Sequence, residues 1–477
     1  MNVENPKSKI MLLTILFHIY FVFFTDKPEK AAPALSPRAV EQRAKWNIPT
    51  DELDYPVAAL YTDSLRRAGA TIHHTSRWMN GATCEMTAKT AAKVAEWKFV
   101  KAVEMTRDDS PYGYGAEKRN RLRQAVSDDS PGTDAQLDLF NLRALHNAGF
   151  EGQGILMAVC DGGFANANTM KCFRQTQELG HFDFTDDTYD FYGSTGDHGT
   201  ECLSAISGIA EGYYGAATKA DYYLMRSEEY DTESPKEADN LIAALEKADS
   251  LGVNVFSVSL GYAKFDNPAW NLDKTKDLDG RTMRVSRAAT IAARKGMLVC
   301  AAAGNDGDVE WRTISVPADA DSILTVGAVD TDGQIVDFSS YGPSSDGRVK
   351  PEVCAVGVKT VLINPYNAIV KSNGTSFATP LLAGMAACLW SALPDKNAMQ
   401  IRDLIIRSAD HYTTPDPNHQ SGYGIPDAWE AYTTGLEEGM DIEQIRETEP
   451  ARKFIRGNQI LIFRHGHIYN LAGQRIR

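Results

Sequence analysis

Six short apolar runs, at 155–160, 222–225, 253–258, 297–303, 323–329 and 353–358, constrain the fold of this chain more than any other feature. None alternates with polar residues, so each reads as a strand buried on both faces. Helix patterns lie between several of them. Over 236–251, Leu241, Leu245 and Ala248 share one face; over 281–295, Val285, Ala288, Ala289 and Ala292 do. Continuous apolar strands alternating with helices give an α/β domain of three layers, a central parallel sheet covered by helices, spanning about 134–435.

The flanks read differently. Lys7 and Lys9 precede an apolar run over 10–24, and polarity returns at Thr25-Asp26-Lys27. The run is shorter than the roughly 20 residues of a bilayer span. It predicts a signal peptide over 1–25 and an exported protein, secreted, periplasmic or at the cell surface. Because Phe23-Phe24-Thr25 is a poor cleavage site, an uncleaved N-terminal anchor stays open, and no other transmembrane segment is expected. Residues 31–107 predict a small α+β unit: helices over 57–68 and 87–97, strands over 71–76, 78–86 and 100–104. Residues 108–133, rich in Asp, Ser, Pro, Gly and basic residues, predict an exposed linker. The tail, 440–477, predicts a charged stretch and then a small hairpin unit.

The formal net charge of -14 repels phosphate backbones and argues against a nucleic-acid partner. Seven cysteines, an odd number, do not make a disulfide framework and read as buried core residues, with no pair at metal-site spacing.

Three segments carry chemistry. Asp161 directly follows the run at 155–160 and precedes Gly162-Gly163, at the strand end where open α/β sheets place their sites. His198, in Asp197-His198-Gly199-Thr200, opens a helix whose Cys202, Leu203 and Ile206 share an apolar face. Ser376, in Gly374-Thr375-Ser376-Phe377-Ala378-Thr379-Pro380, begins a helix that is apolar on nearly every side, where free N–H groups favour a developing negative charge. Pro380 is expected in the first turn, which lacks donor partners. Taken singly, Asp161 reads equally as a turn carboxylate and His198 rather as a structural histidine, whereas the Gly-Thr-Ser-x-Ala-Thr-Pro run at the start of a core helix favours catalysis by Ser376 over a simple helix cap.

Together, in the order Asp, His, Ser, these motifs resemble the subtilisin family of serine proteases. Ser257-Val258-Ser259-Leu260-Gly261 is similar to the family's substrate-pairing strand, and Ala301-Ala302-Ala303-Gly304-Asn305 to the segment ending in its oxyanion-hole asparagine. Residues 338–355 and 422–428 are also similar. The resemblance implies a peptidase with Asp161, His198 and Ser376 as catalytic residues and Asn305 in the oxyanion hole. It implies substrate binding by Ser259, Leu260, Gly261, Ala302, Ala303 and Gly304. It further implies protein or peptide substrates and an inhibitory propeptide over 31–107, removed by self-cleavage in the linker. No cofactor is implied, and no structural calcium set is assignable. Glu228, Glu229, Asp231 and Glu233 read as solvated surface, with the charge around Glu229 favouring basic side chains in the substrate. An α/β-hydrolase would need Gly-x-Ser-x-Gly and the order Ser, Asp, His, which this chain lacks.

Overall fold

The computed structural model describes residues 16–108, 132–185, 190–193, 196–229, 232–413, 419–439, 452–456, 459–464 and 467–470. The chain forms two compact units, one of residues 1–32 and 52–111, the other of residues 33–51 and 112–477. The linker expected over 108–133 falls almost wholly outside the described residues, as do residues 1–15.

The smaller unit is built from β1 (Phe17–Phe24), and the chain then passes through helix α1 (Pro37–Lys45) of the other unit. It returns to add α2 (Ala59–Arg67), β2 (Thr71–Ser76), β3 (Gly81–Thr87), α3 (Ala88–Ala95) and β4 (Val100–Arg107). The sheet order is β2-β3-β1-β4 with every pairing antiparallel. Tyr20, Val22 and Phe24 of β1 join Leu65 of α2 and Val94 of α3 in one core. At Gly81 a Cβ would stand 2.4 Å from the Phe21 ring, so only glycine lets that ring lie across β3.

Two segments fold differently from the boundaries expected. Residues 17–24, read as part of a leader over 1–25, form an inner strand of this sheet. A largely apolar run suits either role, and hydropathy alone does not separate them. Residues 33–51, read as part of the small unit, belong to the large one through α1. Ser36 caps α1 by accepting the Ala39 N–H at 3.1 Å, and Pro37 follows at its first position.

The large unit contains β5 (Leu156–Asp161), β6 (Gln177–Asp183), α4 (Asp197–Ser207), β7 (Asp221–Arg226), α5 (Pro235–Leu251) and β8 (Val255–Val258). It continues with α6 (Arg284–Arg294), β9 (Leu298–Ala302), β10 (Leu324–Val329), β11 (Val353–Val356) and α7 (Thr375–Ala392). The seven strands run β11-β10-β9-β8-β5-β7-β6, all parallel. Met157 and Val159 of β5 share a core with α4 and α7. Their neighbours Leu156 and Ala158 point to the opposite face and are buried too, on the side where α5 packs against β5 and α6 against β9. The expected three layers are therefore present. β6 escaped the sequence reading because it is an edge strand whose exposure alternates residue by residue.

Among the described residues α7 is the helix with the length and apolarity of a membrane span, and 89% of it is buried within the unit. All seven cysteines are buried, as expected of small core residues. The tail forms a three-stranded antiparallel sheet, Arg452–Arg456, Gln459–Arg464 and His467–Asn470. The order β9-β8-β5 decides where function can sit. It sets the carboxyl ends of three adjacent strands beside one another: Asp161 on β5, Ser259–Gly261 after β8, and Ala303–Asn305 after β9.

Candidate active site

Asp161, 1% exposed, ends β5, and its Oδ1 accepts the Gly162 N–H at 2.7 Å. The same oxygen lies 2.8 Å from His198 Nδ1 on the first turn of α4. That approach is close because the next residue is glycine: a Cβ at Gly199 would stand 2.2 Å from the Gly163 carbonyl oxygen and 2.9 Å from Asp161 Cβ. Burial opposes a charged imidazole, but the Asp161 carboxylate and its hydrogen bond outweigh this, so His198 titrates well above the ordinary histidine range. His198 Nε2 has no hydrogen-bond partner among the described residues.

Ser376 is the second residue of α7, and Pro380 lies in the second turn, beyond the first turn where it was expected. The consequence falls on Ser376. Proline has no N–H to give to the carbonyl four residues earlier, and that carbonyl belongs to Ser376. Two side chains replace the missing donor: Ser259 Oγ at 2.7 Å and Cys202 Sγ at 3.4 Å. Cys202 also lies 3.9 Å from His198 Nδ1, and the Phe377 ring stands 5.5 Å from the imidazole, centroid to centroid. Ser376 and His198 are thus held on either side of one thiol. Burial pushes that thiol up to about 11, so it stays neutral at pH 7. The Ser376 hydroxyl itself points to the Ser259 carbonyl at 3.4 Å and makes no bond to His198.

Asn305 accepts at Oδ1 from both the N–H and the hydroxyl of Thr375, at 2.8 and 3.0 Å. Its Nδ2 is therefore turned the other way. A Cβ built on Gly374 would lie 3.6 Å from Asn305 Nδ2 and 3.6 Å from the Ser376 nitrogen. Two N–H donors consequently flank one small space, kept open by the absence of a side chain at 374.

Leu260 and Gly261 make no backbone hydrogen bond within the fold, so this strand continuation has a vacant edge among the described residues. Opposite runs Ala302-Ala303-Gly304. Ser315 lies between the two: its N–H donates to the Ala303 carbonyl at 3.2 Å, and a Cβ at Gly261 would meet Ser315 Oγ at 2.1 Å.

With this geometry in place, the comparisons with known proteins decide the family. The sequence profile of the Subtilase family matches residues 152–424, more than half of the chain. The chain belongs to the subtilase family. A second profile, the Peptidase S8 propeptide domain of Bacteroidota, matches residues 19–122 and so begins inside β1. The thermostable alkaline protease of Halalkalibacterium halodurans is 28% identical over 281 residues, covering 58% of this subtilase and 68% of the relative. Subtilisin NAT of Bacillus subtilis subsp. natto is 25% identical over 410 residues, covering 85% and 95%. The MycP3 protease from the type VII (ESX-3) secretion system shares the fold, with a TM-score of 0.52 at 21% identity over 65% of this chain and 91% of that one. The protein is a subtilisin-like serine endopeptidase, a hydrolase, with a propeptide domain. Subtilases need no catalytic cofactor.

The acidic cluster of this subtilase departs from expectation. Glu229 and Glu233 are buried, and Glu229 pairs with the fully buried Lys236. Both oxygens of Glu237 accept backbone N–H groups, of Glu229 and Ser234, at 3.0 and 2.9 Å. The cluster closes the first turn of α5, and the charge of Glu229 is neutralised locally. Asp231 lies outside the described residues. Thr375, Cys202 and Ser315 were missed as site residues. Only Thr375 carried a signal, its place between Gly374 and Ser376.

Proposed function

We propose that this subtilase is an exported endopeptidase that cleaves peptide bonds through an acyl-enzyme, with Asp161, His198 and Ser376 as its catalytic triad. The observation that carries the reading is the 2.8 Å contact between Asp161 and His198 beside a serine whose carbonyl is pinned by Ser259 and Cys202. Rotation about one side-chain bond turns the Ser376 hydroxyl from the Ser259 carbonyl towards Nε2. Such contacts tighten on substrate binding. Oγ attacks the peptide carbonyl while its proton passes to Nε2, and Asp161 stabilises the imidazolium and fixes its tautomer. The C–N bond then breaks as Nε2 returns the proton to the leaving amine. A water molecule repeats the sequence on the ester, releasing the acid and restoring the hydroxyl.

The oxyanion formed at each stage meets Asn305 Nδ2 and the Ser376 N–H, already fixed on either side of Gly374. An extended substrate adds itself to the vacant edge of Leu260-Gly261 through main-chain bonds that any sequence can make. Its side chain enters the space between that edge and Ala302-Ala303-Gly304.

The unit containing β1 to β4 acts as the inhibitory propeptide, and the enzyme cuts its own chain within 108–133, outside the described residues. Export has to leave Phe17–Phe24 on the precursor, because a leader reaching residue 25 would take an inner strand from that unit. Expression of the wild-type chain beside Ser376→Ala tests self-processing. The wild type is expected to appear as a shorter chain beginning between 108 and 133, with the variant at full length. Equal lengths for two soluble, folded proteins would count against it.

A further inference from the structure

The prosegment is anchored in the catalytic unit by a helix of its own. Residues 33–51 are continuous in sequence with the smaller unit on both sides, yet they fold as part of the larger one. The contact is specific. Ser36 donates from its N–H to the Ser250 carbonyl at 2.8 Å and from its hydroxyl to the Leu251 carbonyl at 2.9 Å. Arg38 Nε donates to the Gly252 carbonyl at 3.1 Å. These are terminal carbonyls of α5, the groups a helix cannot satisfy from within, and the arginine charge complements the negative end of the helix dipole.

Two further contacts reach into the core. Arg38 Nη2 donates to Asn254 Oδ1 at 2.6 Å, and the same oxygen accepts the Leu156 N–H at 3.0 Å. Asn254 precedes β8 and Leu156 opens β5, so α1 grips the roots of the two strands that carry the site. Arg43 Nη2 bonds both oxygens of Asp249 at 2.9 and 2.8 Å, with side chains only 6% and 3% exposed. Removing one partner of such a buried pair is costly, because the remaining charge loses its close counter-ion. At Gly252 a Cβ would stand 2.7 Å from the Ala39 nitrogen, so the two backbones touch.

We propose that residues 33–51 are a strap that fastens the prosegment to the catalytic unit after the chain is cut in 108–133. Cleavage of the linker alone then does not free the prosegment. Release requires the strap to leave α5 or to be cut on its own account. The inference extends the reading of 108–133 as the processing region, and its test does not depend on the activity of this enzyme.

The test uses full-length Ser376→Ala with the recognition sequence of an unrelated protease inserted at 115–120, cut by that protease. Dissociation of the N-terminal fragment is followed by native mass spectrometry and gel filtration. The fragment is expected to stay bound to the otherwise unaltered protein. It is expected to leave about tenfold faster or more with Arg43→Met, which takes the bidentate guanidinium away from the buried Asp249 carboxylate. Ser36→Ala with Arg38→Gln, which leaves that buried pair intact, is expected to speed loss by a smaller factor. It keeps the test open if Arg43→Met fails to fold. Equal dissociation rates in all folded versions, or loss of the fragment from the unaltered protein on the first column, would overturn the strap.

Discussion

Thr375 holds Asn305 by its carbonyl end, donating from N–H and hydroxyl to the same Oδ1 at 2.8 and 3.0 Å. The Thr375 hydroxyl accepts in turn from the Gly304 N–H at 3.2 Å. One side chain thereby fixes which way the amide faces. Thr375→Val keeps the shape and removes the hydroxyl. A net hydrogen bond of about 0.5–1.5 kcal/mol predicts a roughly two- to tenfold fall in kcat with KM little changed. Asn305→Ala removes the donor itself and is expected to lower kcat by about 10²–10³, a range taken from subtilisin and not from this chain. Steady-state kinetics of the double variant checks the coupling. It is expected to be no slower than Asn305→Ala alone, because Thr375 acts through Asn305.

Gly261 and Ser315 are in close contact, with 2.1 Å between Ser315 Oγ and the position of a Cβ at 261. Gly261→Ala has to push either the serine or the free edge out of place. It is expected to lower kcat/KM by about tenfold or more, the scale of a small misplacement in a positioned substrate. Gly261→Ala with Ser315→Gly is expected to recover most of the loss. Peptide hydrolysis by both variants measures this, and no recovery would mean that the collision lies elsewhere.

His198 works as a base only when neutral. The Asp161 carboxylate raises its pKa against the pull of burial, so the imidazole stays charged to a higher pH than a free histidine. kcat/KM is therefore low in acid and rises with pH, with its acid limb above about 6.5. Asp161→Asn removes the charge that raises the pKa. It is expected to move the limb to lower pH while kcat falls by about 10⁴, because the wrong tautomer is favoured. A pH profile of both proteins decides the point, and an unmoved limb would assign it to another group.

Val22 is fully buried in β1, whereas Leu16 just before the strand is 54% exposed. Val22→Asp places an unpaired carboxylate in the core of the small unit. That costs several kcal/mol, comparable to the whole stability of a unit this small. Soluble yield and circular dichroism of Ser376→Ala precursors measure the outcome. Val22→Asp is expected to unfold the propeptide unit and Leu16→Asp to leave it intact. Equal behaviour would return residues 17–24 to a leader.

Legibility in the sequence followed burial. The runs at 155–160 and 297–303 announced β5 and β9 because strands buried on both faces are continuously apolar. β6 was hidden because an edge strand is wet on alternate residues. β1 was legible as apolar but not as a strand, since a signal core has the same composition. α1 was missed for the opposite reason: Arg38, Glu41, Gln42, Arg43 and Lys45 suggest a solvated segment, and only the position of Asp249 and the α5 carbonyls shows where Arg38 and Arg43 go. Asp161, His198, Ser376 and Asn305 were legible through motif order. Thr375 acting on Asn305, and Ser259 standing in for the amide missing at Pro380, depend on distances between residues far apart in the chain.

Labelling with a fluorophosphonate probe, followed by peptide mapping, tests the central claim most directly, because it reads the nucleophile without assuming a substrate. The processed wild-type protein is predicted to carry one label, on Ser376, and to lose it in His198→Ala. A folded protein that hydrolyses peptides while Ser376 stays unlabelled, or that carries the label on another serine, would contradict the account.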